Sequence, residues 1–125
     1  MLITHDLGVV AETAQRAIVM YAGRKVEEAP VAELFRNPLH PYTRGLINSI
    51  PRRTAAGRRT NIRGRLQEIA GMVPSLREEI VGCAFAPRCG YALERCKRER
   101  PGLDSHGPAH LAACWEAARL PGAAR

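Results

Sequence analysis

Four cysteines, Cys83, Cys89, Cys96 and Cys114, are the only ones in the chain, and all lie in its last third. Five, six and seventeen residues separate them, so three fall within fourteen positions. That density constrains the fold more than any other feature, because it is a ligand density. The first residues carry no basic patch followed by an apolar stretch, so no signal peptide is read and a cytosolic location is expected. Cytosolic chains seldom keep disulfides, which ranks metal binding above crosslinking. Four thiolates can close a zinc site or hold an iron–sulfur cluster. Structural zinc usually takes its ligands in pairs two to four residues apart, and no such pair exists here. The wider gaps suit a larger object, so a cubane-type cluster is preferred to zinc, with buried thiols as the remaining alternative. Pro87 and Pro101 stiffen the neighbouring loops, and Arg88, Arg95, Lys97 and Arg98 are expected to offset thiolate charge. His110 precedes Cys114 by four residues. On a helix over 109–119 the two would share a face, leaving a site of three cysteines and one histidine open.

At the other end, Leu2-Ile3 reads as the close of a buried strand that delivers His5 to its carboxyl end. Asp6 then caps the following helix, whose face is Leu7, Val10, Ala11 and Ala14. In open α/β sheets, ligands bind at the carboxyl ends of the strands, so His5 can touch a phosphate. Ala17 to Tyr21, a turn at Ala22-Gly23, and Arg24 to Glu27 form a β-hairpin. Pro30 starts a short helix with Val31, Leu34 and Phe35 as its apolar stripe. Pro38, Pro41, Pro51 and Pro74 punctuate the next stretch, where Tyr42 to Ser49 is helical.

The 125 residues have room for one ordinary domain. They divide into an ATPase-like end over 1–36, a Pro/Arg-rich connector over 37–81, a four-cysteine module over 82–118 and a frayed tail over 119–125. The fold class is an α+β fragment: a last strand, a helix and a β-hairpin, then a small irregular cysteine-rich extension. The net charge of +7 is concentrated. Leu34 to Gln67 holds eight arginines and no acid, which leaves −1 for the rest. The Arg52 to Arg65 run reads as an extended loop, either solvated or facing a membrane or a partner subunit. Tyr42 is the only aromatic residue past Phe35 in that stretch, so no nucleic-acid partner is expected.

Several motifs carry a resemblance to a known family. His5 within Leu2-Ile3-Thr4-His5-Asp6-Leu7 resembles the switch-loop histidine of ABC transporter ATPases, and Ala17 to Glu28 resembles the hairpin that follows it. Leu34-Phe35-Arg36-Asn37-Pro38-Leu39-His40-Pro41-Tyr42-Thr43-Arg44-Gly45-Leu46 is similar to the hallmark of the oligopeptide and dipeptide importer ATPases. Gly71 to Leu76 and Gly82 to Cys89 resemble the carboxyl-terminal extension of the same family. The resemblance runs from Leu2 to about Trp115.

It implies an ATP-binding subunit that pairs with a second ATPase beneath a membrane permease, at the inner face of the plasma membrane. Other subunits would handle the peptide. It implies that His5 contacts the ATP γ-phosphate and the attacking water, stabilising charge in phosphoryl transfer. It also implies a [4Fe-4S] cluster on Cys83, Cys89, Cys96 and Cys114. His40 gains no chemical role and is expected to fix the entry to the following helix, with Pro41 setting the backbone and Tyr42 packing beneath.

The sequence holds no G-x-x-x-x-G-K-[ST] phosphate loop, no acidic strand end for magnesium and no signature motif. ATP and magnesium therefore belong to a full-length context, and this chain alone is expected not to hydrolyse ATP. The alternative is a free-standing, non-catalytic metal-binding module that docks on a permease or partner ATPase.

Overall fold

The structure, a computed structural model, describes residues 1–50 and 68–120. The Arg52 to Arg65 run lies outside the described residues. A four-stranded antiparallel sheet of order β1-β2-β4-β3 organises the rest. Its first two strands are the expected hairpin, β1 (Arg16–Tyr21) and β2 (Arg24–Pro30). Ala22 and Gly23 both have positive φ, 48° and 76°. Two positive φ values in a two-residue loop match the right-handed twist of the flanking strands, which is why this turn closes a hairpin tightly.

The pairing slips between Val19 and Met20, where Val19 faces Glu27 and Met20 faces Lys25. Val26 is the extra residue. This bulge breaks the strand's alternation, so that the successive residues Val26 and Glu27 are both buried. The edge of β2 beyond it is filled by β4 (Leu111–Ala112), which pairs in turn with β3 (Asp104–Ser105).

Three helices frame the hairpin. α1 (Leu7–Thr13) starts at Asp6, whose Oδ1 accepts from the N–H groups of Gly8 (2.8 Å) and Val9 (3.2 Å), as expected of a capping aspartate. Its half-buried face is Leu7, Val10 and Ala14, while Ala11 is exposed. α2 (Val31–Arg36) follows Pro30 directly and buries Val31 and Leu34. α3 (Pro41–Asn48) carries Pro41 at its first position, where a missing N–H costs nothing.

The core joins the two ends of the chain. Val19, Tyr21, Val26, Ala29 and Leu34 pack with Phe85, whose ring meets Tyr21 edge-on at 5.3 Å. Tyr42 leans on the same pair, 4.7 Å from Tyr21 and 5.6 Å from Phe85. The first and third stretches read from the sequence thus share one sheet, and the connector joins them in one apolar core through Tyr42, Leu46 and Ile69. Arg88 reinforces the join. It donates to the carbonyls of Ala70 (3.0 Å) and Ile69 (2.9 Å) and to the Tyr21 hydroxyl (3.3 Å).

Two expectations fail. Residues 2–5 form no strand, and Leu2 and Ile3 are 62% and 87% exposed. A strand needs a neighbour to take its backbone hydrogen bonds, and none of the described residues lies beside this segment. The helix expected over 109–119 is also absent. Ala109 has a φ of 57°, residues 111–112 are β4, and only Ala117–Arg119 turns as a 3₁₀ helix. The open edge of β2 claims this segment instead: Ala112 pairs with Glu27, and Ala113 N–H donates to Val26 at 2.8 Å. Sheet completion overrides alanine's helix propensity here.

Candidate metal centre

Cys83, Cys89, Cys96 and Cys114 line one cavity of about 20 Å³, together with His40, Phe85, Tyr91 and Trp115. Each cysteine arrives on a different local structure. Cys83 and Cys89 flank the 3₁₀ turn Ala86–Arg88, Cys96 sits inside α4 (Glu94–Arg98), and Cys114 follows β4. Backbone hydrogen bonds hold the first three in register. Cys83 N–H donates to the Cys96 carbonyl at 2.7 Å, and Cys89 N–H donates to Ala86 at 3.2 Å.

Gly82 makes that approach possible. Its φ is +74°, and a β-carbon there would lie 2.4 Å from the Cys96 carbonyl oxygen and 2.7 Å from the Lys97 carbonyl carbon. Neither backbone atom can yield without dragging α4 from the cavity. Gly82→Ala is therefore expected to destabilise the chain by about 2–3 kcal/mol, since backbone strain and a backbone clash add. A thermal-denaturation midpoint equal to that of the native chain would contradict this.

Two of the thiols also accept a backbone N–H. Tyr91 N–H donates to Cys89 and Leu93 N–H to Cys96, both at 3.4 Å. The backbone of Phe85 and Ala86 favours the ionised form of Cys83, and that of Glu116 favours the ionised form of Cys114. Such donors favour the thiolate, the form that binds metal. Burial works against them in the metal-free chain. It raises the Cys83 and Cys89 thiols above their usual range and pushes Cys114 up to about 11, with the neighbouring sulfurs adding to the shift. One buried and three half-buried sulfurs, which would repel one another as anions, would need a group that supplies positive charge between them.

Among the described residues, no three His, Cys, Asp or Glu side chains stand as a group able to hold one metal ion. A tetrahedral zinc site would need its sulfurs roughly 3.8 Å apart, as follows from zinc–sulfur bonds of about 2.3 Å.

Three of the charged neighbours have partners of their own. Arg88 is engaged with Ile69, Ala70 and Tyr21. Lys97 pairs with Glu94, and Arg95 pairs with Glu99 while its guanidinium sits 3.5 Å above the Trp115 ring. His110 is no ligand candidate in this arrangement. It is buried, and its Nε2 lies 2.7 Å from Glu27 Oε1. Glu27 is fully buried and also accepts from the N–H groups of Leu39 (2.7 Å) and His40 (3.0 Å). Sequence reasoning missed it, because a glutamate beside Lys25 and Glu28 reads as an outward strand position. The bulge at Val26 turns it inward.

His40 does fix the helix entry. Its Nδ1 accepts the Tyr42 N–H at 3.1 Å, and burial alone lowers its pKa to about 4, so the ring is neutral. His5 is exposed on the segment before Asp6 and does not line the cysteine cavity. No helix of the described residues is long and apolar enough to cross a membrane.

Residues 26–96 match the family model described as the oligopeptide/dipeptide transporter, C-terminal region. The chain is 58% identical over 115 residues to a probable peptide ABC transporter ATP-binding protein, y4tR, of Sinorhizobium fredii, covering 92% of this chain and 33% of that protein. It is 52% identical over 118 residues to a putative peptide import ATP-binding protein of Brucella ovis, covering 93% and 35%. Against the oligopeptide transport ATP-binding protein AppD of Bacillus subtilis it is 46% identical over 118 residues, covering 92% and 33%. The chain spans about a third of the length of the curated relatives it matches.

Proposed function

The chain belongs to the oligopeptide/dipeptide transporter C-terminal region family, and from that premise we propose that it is the carboxyl-terminal part of the ATP-binding subunit of a peptide importer. In this reading it does not hydrolyse ATP by itself, because its 125 residues include no phosphate loop, and phosphoryl transfer depends on that cradle and its magnesium. His5 serves as the switch histidine only where the rest of an ATPase surrounds it. The subunit works with a second ATPase and a membrane permease at the inner face of the plasma membrane, and the peptide is handled by other subunits.

Residues 82–118 hold a [4Fe-4S] cluster on Cys83, Cys89, Cys96 and Cys114. The convergence of these four side chains on one cavity carries this part of the reading. The backbone N–H groups that donate to Cys89 and Cys96 support it. When bound, the cluster supplies a cationic iron framework that crosslinks four points of the chain. The chain's own residues orient the sulfurs and shield them, Phe85 and Trp115 by covering the cavity and α4 by fixing Cys96. That crosslinking is structural. Residues 82–118 bury little apolar area of their own, and metal ligation substitutes for a core.

Anaerobic purification tests both halves. A brown chain with broad absorbance near about 400 nm, about four iron and four sulfide per polypeptide, is expected, with ATP hydrolysis at background. A colourless, zinc-loaded chain overturns the cluster, and hydrolysis above background overturns the division of labour.

A further inference from the structure

A second cavity, of about 50 Å³, lies beside the hairpin turn and shares Phe85 with the cysteine cavity. Three cations line it and no acid does. Arg24 and Lys25 come from the start of β2, and Arg100 from the stretch after α4. Val26, Phe85 and Ala113 supply buried apolar wall. The chain's twelve Asp and Glu residues all lie among the described residues, and none stands within ion-pair distance of Arg24 or Arg100. Lys25 has only a share of Glu28, 3.4 Å away, which Arg16 holds more closely at 2.9 Å. Arg100 is fixed in place all the same. Its Nη2 donates to the Ile80 carbonyl at 3.0 Å, and its other N–H groups have no partner among the described residues.

Like charges gathered around one opening repel, and apolar walls strengthen the repulsion by lowering the local dielectric. An anion seated between them turns the same arrangement into attraction. We propose that this cavity binds a phosphate group. Its volume of about 50 Å³ holds the equivalent of about three or four waters, enough for one tetrahedral oxyanion and too little for a nucleotide. Three cations with one shared carboxylate among them suit a dianion better than the single charge of a carboxylate. A guanidinium also presents paired N–H donors to phosphate oxygens. The group arrives either as free phosphate or as the phosphomonoester of a lipid headgroup, since both present the same oxygens.

The 125-residue chain, isolated anaerobically, is titrated with inorganic phosphate by calorimetry at an ionic strength held constant with chloride. Saturable binding with a Kd of about 1 mM is expected, well within the ceiling for a ligand of so few atoms. Arg24→Gln and Arg100→Gln are each expected to weaken it about tenfold, the loss of one charge-assisted contact. Arg98→Gln removes an exposed cation that does not line the cavity and should stay within about twofold of the native chain. Co-sedimentation with phosphatidylcholine vesicles containing phosphatidic acid reads the headgroup in the same set of variants.

Phosphate binding lost in Arg24→Gln and Arg100→Gln, with vesicle binding untouched, assigns the site to free phosphate. Vesicle binding lost in the same two variants assigns it to a headgroup. No saturable phosphate binding, together with vesicle binding that survives the double variant, overturns the proposal. So does phosphate binding that survives the double variant or falls equally in Arg98→Gln, because either would report net charge alone. Should Arg100→Gln disturb the Ile80 segment, Arg24→Gln decides, as Arg24 makes no side-chain hydrogen bond or ion pair among the described residues.

Discussion

Cys96→Ser is expected to abolish the absorbance of the loaded chain near about 400 nm and to open residues 82–118 to protease, while α1, β1 and α2 stay protected. Cys96 is the one buried cysteine of the four and the only one within a helix. Its carbonyl receives the Cys83 N–H, and its sulfur receives the N–H of Leu93. Serine keeps the size but is a poor ligand for iron, because an alkoxide at neutral pH is far less available than a thiolate. With three ligands left, the crosslink between α4 and the segments bearing Cys83, Cys89 and Cys114 is lost. What remains of that region is short turns, a two-residue strand pair and a five-residue helix, too little to hold itself together. Limited proteolysis followed by mass spectrometry locates the cuts. Unchanged resistance across 82–118 in Cys96→Ser would show that the sheet and Phe85 suffice without a metal.

The second large effect lies at Glu27. Its carboxylate takes three buried hydrogen bonds, from the N–H groups of Leu39 and His40 and from the His110 ring. Glu27→Ala leaves all three donors without an acceptor in a place water does not reach. The expected loss is about 3–5 kcal/mol, since three buried partners lose their hydrogen bonds to the carboxylate at once. A domain of this size has a total stability of about 5–15 kcal/mol. The variant should therefore lose a large share of that stability and melt at a clearly lower temperature. Glu27→Gln keeps the volume but turns one oxygen into an NH₂ that must face another donor, so about 1–3 kcal/mol is expected. Urea denaturation of the two variants measures both. A Glu27→Ala chain within about 0.5 kcal/mol of the native one would mean that this carboxylate holds nothing. The structural logic is that Glu27 ties three distant segments: β2, the entry to α3, and the loop before β4.

How much of this was legible beforehand varies with the range of the interaction. Asp6, Pro30 and Pro41 announce helix starts because capping is decided within three residues, and each sits where its chemistry predicts. The hairpin was equally readable, for the turn and the alternation are local. His40 belongs to the same class, as its ring closes on an N–H two residues on. The spacing of the cysteines was enough to name the four side chains that share a cavity.

Other elements yielded to partners far along the chain. Alanine-rich residues 109–119 have helical propensity, but β2 offers an unpaired edge 83 residues earlier, and strand pairing there also brings His110 onto Glu27. Leu2 and Ile3 have strand propensity but no strand beside them among the described residues. Propensity is a few tenths of a kcal/mol per residue, whereas satisfying a sheet edge or a buried carboxylate is worth several times that.

From the sequence alone came the capped helices, the hairpin and the identity of the four cysteines that share a cavity, since spacing and local hydrogen bonding settle these. Only the tertiary structure decided that Glu27 is buried beneath His110 and that residues 111–112 complete the sheet. The physical reason is that burial depends on what packs against a residue, and a bulge of one residue at Val26 was enough to reverse it.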